Sequence, residues 1–177
     1  MISIDRIYNR AIVDELARKQ VTPSFDYRDE VDVTWAGHPN WYFRISKFSL
    51  PYLRYEAVPK TWFLDEMDSI PKDRENYVLK ALYSFAGAGI TFSPSDAEIG
   101  AIPHSQRHNY VLQERVAFAR PMETPDGATQ PEIRVMYVWL EALTPVMTLV
   151  RMGRGKMMGV DHNRNLGWVG SSASLSV

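Results

Sequence analysis

The chain has no cysteine, which excludes a disulfide framework, thiol catalysis and Cys-ligated zinc together. Neither sign of charge is in surplus: 20 Lys and Arg stand against 21 Asp and Glu, a net charge of −1. The basic footprint of a nucleic-acid binder is therefore missing. Long apolar runs are missing too. Residues 135–140 form one of the longest, far too short for a helix to cross a bilayer, and Met1-Ile-Ser-Ile-Asp-Arg6 lacks the apolar run of a signal peptide. These absences predict a soluble, cytoplasmic protein with neither nucleic acid nor membrane as a partner. Core material, in contrast, is plentiful, with 45% hydrophobic residues and five Trp in 177 residues. That length suits one ordinary domain or two small lobes sharing a cleft.

Ile4, Ile7, Ala11, Ile12 and Leu16 recur at helical spacing and predict a helix within residues 5–19. Alternation of Val31, Val33 and Trp35 with Asp32 and Thr34 predicts a strand over 31–35. A short helix is expected over 47–55, with Pro51 near its start or kinking it. From Val58 the texture is strand-rich: 61–64, 77–83, 90–93 and 109–117 all favour extended structure. Between them, Ser95-x-x-Glu98 matches a capping box opening a short helix. Residues 122–131 form a Pro-, Gly- and Asp-rich loop. In 132–140, Ile133, Val135, Tyr137 and Trp139 face one side and Arg134, Met136 and Val138 the other, the clearest strand of the chain. A hairpin of 148–152 and 156–161 is expected around Gly153-Arg154-Gly155. Strands in hairpin succession with few helices define the fold class as α+β and mainly antiparallel.

The chemistry centres on Lys80, a lysine in the middle of an apolar strand. Burying an unpaired ammonium is costly, so such a lysine makes sense where its face borders a cleft holding an anion. Ser84 and the small-residue turn Gly87-Ala88-Gly89 follow. Glycine permits backbone conformations closed to other residues and lets N–H groups approach phosphate oxygens. Neither a Walker Gly-Lys-Ser/Thr nor a full G-x-G-x-x-G is present. Taken alone, the segment fits a tight hairpin with a snorkelling lysine equally well. Gln113-Glu114-Arg115 taken alone is an exposed strand end, and Arg134 a surface ion pair. His38, His104, His108 and His162 are too scattered for transition-metal binding, and the aromatic cluster Trp35, Trp41, Tyr42 and Phe43 is expected in a core or lobe interface.

In order, Ser46-Lys47, Val58-Pro-Lys60-Thr61, Val78-Leu-Lys80 with its glycine flap, Tyr110-Val-Leu-Gln113-Glu114-Arg115-Val116, Glu132-Ile-Arg134-Val135 and a segment from Arg151 to Asn163 resemble the ATP-grasp superfamily of carboxylate–amine ligases. The resemblance covers residues 46–170. Its last part, with Gly167-Trp168-Val-Gly170, is similar to the variant group near glutathionylspermidine synthases. It implies two small lobes of mainly antiparallel sheet around a nucleotide cleft, with ATP and Mg²⁺ as cofactors. Residues 1–57 would be a remnant of a preceding domain, 58–110 the small lobe and 111–177 the larger one. Lys47 would be the first phosphate-contacting lysine, Lys80 the strand lysine on the α- and β-phosphates, and Ser84, Gly87 and Gly89 the flap. Gln113, Glu114 and Val116 would form the adenine hinge, and the catalytic residues facing the transferred phosphoryl group would be Arg134 and Arg151. Phosphoryl transfer proceeds by positioning and charge neutralisation, which such cations supply.

The same resemblance places metal ligands at Asp161 and Asn163. Residues two apart in a strand point to one side and could share a hard cation, with Glu132 and Glu141 as further ligands. Asp161-His-Asn163-Arg-Asn165-Leu-Gly167 is equally good turn chemistry. The implied activity is a ligase that activates a small carboxylate as an acylphosphate for attack by an amine or thiol. The alternative is a non-catalytic nucleotide-binding or assembly module. Only about 45 residues precede Lys47, too few for the family's usual front domain of ~100 residues. The expectation is therefore a fragment, a shortened variant, or a chain whose acceptor site is completed by a second copy or a partner subunit.

Overall fold

The structure, a computed structural model, describes residues 3–11, 16–17, 19–41, 46–84, 87–159 and 162–174. It divides into two units, Met1–Arg115 and Val116–Val177. The fold is α+β with few helices and three sheets, two of them wholly antiparallel.

The first unit opens on a strand, Arg6–Tyr8 (β1), pairing parallel with β2, Thr34–Ala36. Part of 5–19 is expected to be helical: Leu16 and Ala17 are helical, while 12–15 and 18 lie outside the described residues. The apolar spacing that suits a helix here also sets Ile7 inward on a strand, and backbone pairing with Thr34–Ala36 decides the outcome. Of the expected aromatic cluster, Trp35 packs edge-on against His38 at 4.9 Å and Trp41 is exposed, while Tyr42 and Phe43 lie outside the described residues. Lys47–Tyr52 is a 3-10 helix containing Pro51, capped by Ser46, whose hydroxyl accepts the Phe48 N–H.

The main sheet of this unit comprises β3 (Thr61–Phe63), β4 (Tyr77–Ala81), β5 (Ile90–Phe92) and β6 (Tyr110–Glu114), in the order β3-β6-β4-β5. Register fixes what each face holds, because opposed residues share a face. Leu79 lies opposite Leu112, and with Leu64 and Ile99 they form one buried cluster. Ile99 belongs to the helix Asp96–Gly100, whose capping box is complete: the Ser95 hydroxyl accepts the Glu98 N–H, and the Glu98 carboxylate accepts the Ser95 N–H. On the other face Phe63, Leu82 and Val111 form a second cluster. The 3-10 helix covers it, with Phe48 and Tyr52 rings 5.2 and 5.8 Å from Phe63. Burying a side chain as fully as Leu112 contributes about 1.5–3 kcal/mol, so this two-sided sheet is the stable part of the unit.

The second unit is a three-stranded antiparallel sheet, β7 (Gln130–Trp139), β8 (Leu143–Gly153) and β9 (Gly170–Ser174), in sequence order. The expected hairpin around Gly153 is not formed. Residues 148–152 belong to β8, which pairs with both β7 and β9, and Lys156–Gly159 are not extended. Across the loop 122–131, Met122 and Thr129 bridge.

Candidate functional site

On the first unit's sheet, Lys80, Gln113 and Thr61 share one face. Gln113 is opposite both Val78 on β4 and Thr61 on β3, and Lys80 lies two residues on from Val78. The Lys80 ammonium donates to Gln113 Oε1, Gln113 Nε2 donates to Thr61 Oγ1 at 2.8 Å, and Thr61 Oγ1 donates to the Pro59 carbonyl at 3.0 Å. A polar strip thus crosses three strands beside the apolar Phe63–Leu82–Val111 cluster. The strip contains a cation and no anion: no carboxylate pairs with Lys80 among the described residues, and its pKa is pushed down by burial alone. Arg115 continues the row from Gln113 and lies over the Phe92 ring, 5.6 Å from its centroid.

Lys80 carries a pH signature with a definite sign. Its folded pKa lies below the ordinary lysine value, so between the two the unfolded chain binds more protons and stability rises with pH. Denaturant titrations carried upward in pH toward 10.5, the ordinary lysine value, should show the stability difference between native protein and Lys80→Met moving in favour of the native chain as pH rises. A pH-independent difference would mean that Lys80 titrates normally.

Lys47, the expected first phosphate-contacting lysine, stands against the turn before the glycine flap. Its ammonium donates to the Ser84 carbonyl at 2.6 Å, to Ser84 Oγ at 2.9 Å and to the Leu82 carbonyl at 3.4 Å. The Ser84 hydroxyl donates to the Ala88 carbonyl at 2.6 Å. Lys47 therefore latches the turn that leads from β4 into the glycine flap. Gly87 and Gly89 both have positive φ, +83° and +64°. At Gly89 a Cβ would stand 2.9 Å from the Ala81 Cβ, so glycine is required there by space as well as by conformation. Glu114 bonds the Lys60 backbone N–H at 3.3 Å, and the two line a cleft of about 620 Å³ with Tyr52, Tyr55 and Trp62.

The other expected site residues lie in the second unit. Val116 is its first residue and is exposed. Glu132 is held by two arginines, Arg134 Nε at 2.5 Å and Arg151 at 3.5 Å. Arg151 also donates to the Met158 carbonyl. The Asn163 carboxamide is buried and committed four times over. Its Oδ1 accepts the Arg154 and Gly155 N–H groups at 3.1 and 2.9 Å, and its Nδ2 donates to the Met157 and Gly159 carbonyls at 2.8 and 3.0 Å. With both lone pairs of Oδ1 occupied, none remains for a cation. Glu132, shared between two guanidinium groups, and Asn163 do not fit a Mg²⁺ site as they stand. Asp161 lies outside the described residues, and Glu141 is at the exposed tip of the β7–β8 hairpin. No group of three or more His, Asp or Glu that could hold a metal occurs among the described residues.

Two contributors were missed in the sequence. Thr61 orients Gln113, and its shared parity with Phe63 was the available signal. Arg154 ties Gly167, donating to its carbonyl at 2.6 Å, and lies 3.6 Å from Asp126; nothing in its Gly-Arg-Gly context announces those partners. No protein-family model, curated protein or solved structure matches this chain. Among the described residues, no helix is long and apolar enough to cross a membrane.

Proposed function

We propose that the first unit binds a nucleoside triphosphate, ATP, along the Lys80–Gln113 strip in the manner of an ATP-grasp small lobe. The ATP would serve to activate a small carboxylate as an acylphosphate for attack by an amine or thiol. The observation that carries this reading is Lys80 itself, a half-buried ammonium on a central strand whose partner is a neutral amide. A desolvated cation without a counter-anion favours an anionic ligand, and a polyphosphate meets that need. The latched turn with Gly87 and Gly89 at positive φ supports it, since such a backbone can approach phosphate oxygens closely. Mg²⁺ would accompany the triphosphate.

The test is thermal stabilisation by ATP-Mg²⁺ and GTP-Mg²⁺ in native protein and in Lys80→Ala. Ligand at about 100 times Kd should stabilise the native chain by ~2.7 kcal/mol. Removing a hydrogen bond from a charged donor should weaken binding by about 10- to 150-fold and abolish most of the shift. Absence of a shift in the native chain, or an equal one in the variant, defeats the proposal. A second reading, a nucleotide-binding module without turnover, is favoured by the engagement of Glu132 and Asn163 in other contacts. Release of ADP or phosphate with candidate carboxylates separates the two.

A further inference from the structure

We infer that the β7–β8 arm is a self-association surface on which two copies of this chain pair antiparallel along their β7 edges, centred on Ile133. β7 is an edge strand of its sheet, and β9 covers β8 only from Thr148 to Met152. Ten large apolar residues from Ile133 to Met147 are 39–74% exposed, with Trp139, Leu140 and Ile133 the most open. Together they present on the order of 1,000 Å², above the ~300–600 Å² of the largest patch on a typical monomer, and Ile133, Val135 and Met136 lie on the stretch of β7 that faces the partner. Long edge strands are normally blunted by lysine, by interior proline or by brevity. β7 has ten residues, no lysine, and a proline only at its second position.

Charge selects both a second copy as the occupant and the register. β7 holds two charged residues, Glu132 and Arg134, of opposite sign and two apart. In an antiparallel pair centred on Ile133, each Glu132 lies opposite the partner's Arg134 and each Arg134 opposite the partner's Glu132. Centring the pair on Glu132 or on Arg134 would instead set like charges face to face, which is destabilising. Arg151, opposite Glu132 on β8, backs the network from within each copy. In this register residues 130–136 of the two β7 strands face one another, and Tyr137 and Trp139 run on past the end of the partner's strand. A two-fold contact of this kind is closed and covers the β7 edge over residues 130–136. It is independent of the nucleotide reading, and gives Glu132 and Arg134 a role in assembly.

Mass measurement by light scattering or sedimentation over a micromolar range should find a dimer of twice 20.3 kDa. Glu132→Arg and Arg134→Glu alone should each raise the dimer dissociation constant by about tenfold or more. An equimolar mixture of the two variants should dimerise again. One chain of the mixed pair is then basic at both positions and the other acidic at both, so every facing pair is again of opposite sign. The chain lacks cysteine, so Ile133→Cys should form a covalent dimer under mild oxidation. Val135→Cys, opposite Pro131 in this register, should not. Monomeric native protein, folded single variants that still dimerise, a mixture that stays monomeric, or preferential cross-linking at position 135 would each overturn the inference. The cysteine pair keeps the register testable even if the charge variants misfold.

Discussion

Truncating Leu112 to alanine is expected to destabilise the first unit by about 2–5 kcal/mol, the usual range for leucine deletions in a packed core. Leu112 has no exposed surface and sits on β6, between β3 and β4, against Leu64, Leu79 and Ile99. The cavity it would leave is flanked by β3 and β4, two strands that cannot close on it without breaking their pairing with β6. Collapse is therefore limited and the cost should fall in the upper half of that range. Denaturant unfolding followed by near-ultraviolet circular dichroism reads the effect through Trp62 and Tyr77, which lie 6.3 Å apart on the same sheet. A loss below about 1 kcal/mol would mean that the β3-β6-β4-β5 sheet is not packed as described.

Replacing Asn163 with aspartate is expected to cost about 2–4 kcal/mol despite the identical shape. The aspartate Oδ1 would still accept the Arg154 and Gly155 N–H groups. The second oxygen would face the Met157 and Gly159 carbonyls, which now receive donated hydrogens from Nδ2. Two acceptors would lose their donor and a charge would enter a buried position. The loop offers no easy relaxation, since a Cβ on Gly155 would already run into the His162 carbonyl. The substitution also separates two roles for Asn163. A cation ligand exchanged for aspartate should gain affinity for Mg²⁺, whereas a loop staple should lose stability with and without it. Thermal unfolding at several Mg²⁺ concentrations decides, and a variant as stable as the native chain, or rescued by Mg²⁺, would contradict the staple.

Several parts of this architecture were legible in the residue order. Strand-favouring runs over 77–83 and 109–117 located β4 and β6, and Ser95-x-x-Glu98 announced a capping box that forms in full. The resting place of Lys80 on a sheet face was legible as well, because strand parity is a property of consecutive residues. At residues 6–8, inside the span 5–19 part of which is expected to be helical, that logic does not decide. Ile7 fits either periodicity, and a partner strand 28 residues away decided between them.

The sites followed the same division. An apolar strand with one lysine already states that the lysine needs a polar neighbour, since burial of a bare ammonium is too costly. Sequence alone could not say that the neighbour is Gln113, 33 residues away, or that Lys47 reaches Ser84 across 37 residues. Asn163 looked equally like a ligand and a turn residue, and the backbone groups closing around it made it a staple. Local periodicity, capping and charge are set by residues within one turn or one strand of each other, so the sequence determined them. Hydrogen-bond partners are set by loop closure and sheet register, which bring distant residues together, and only the tertiary structure decided those.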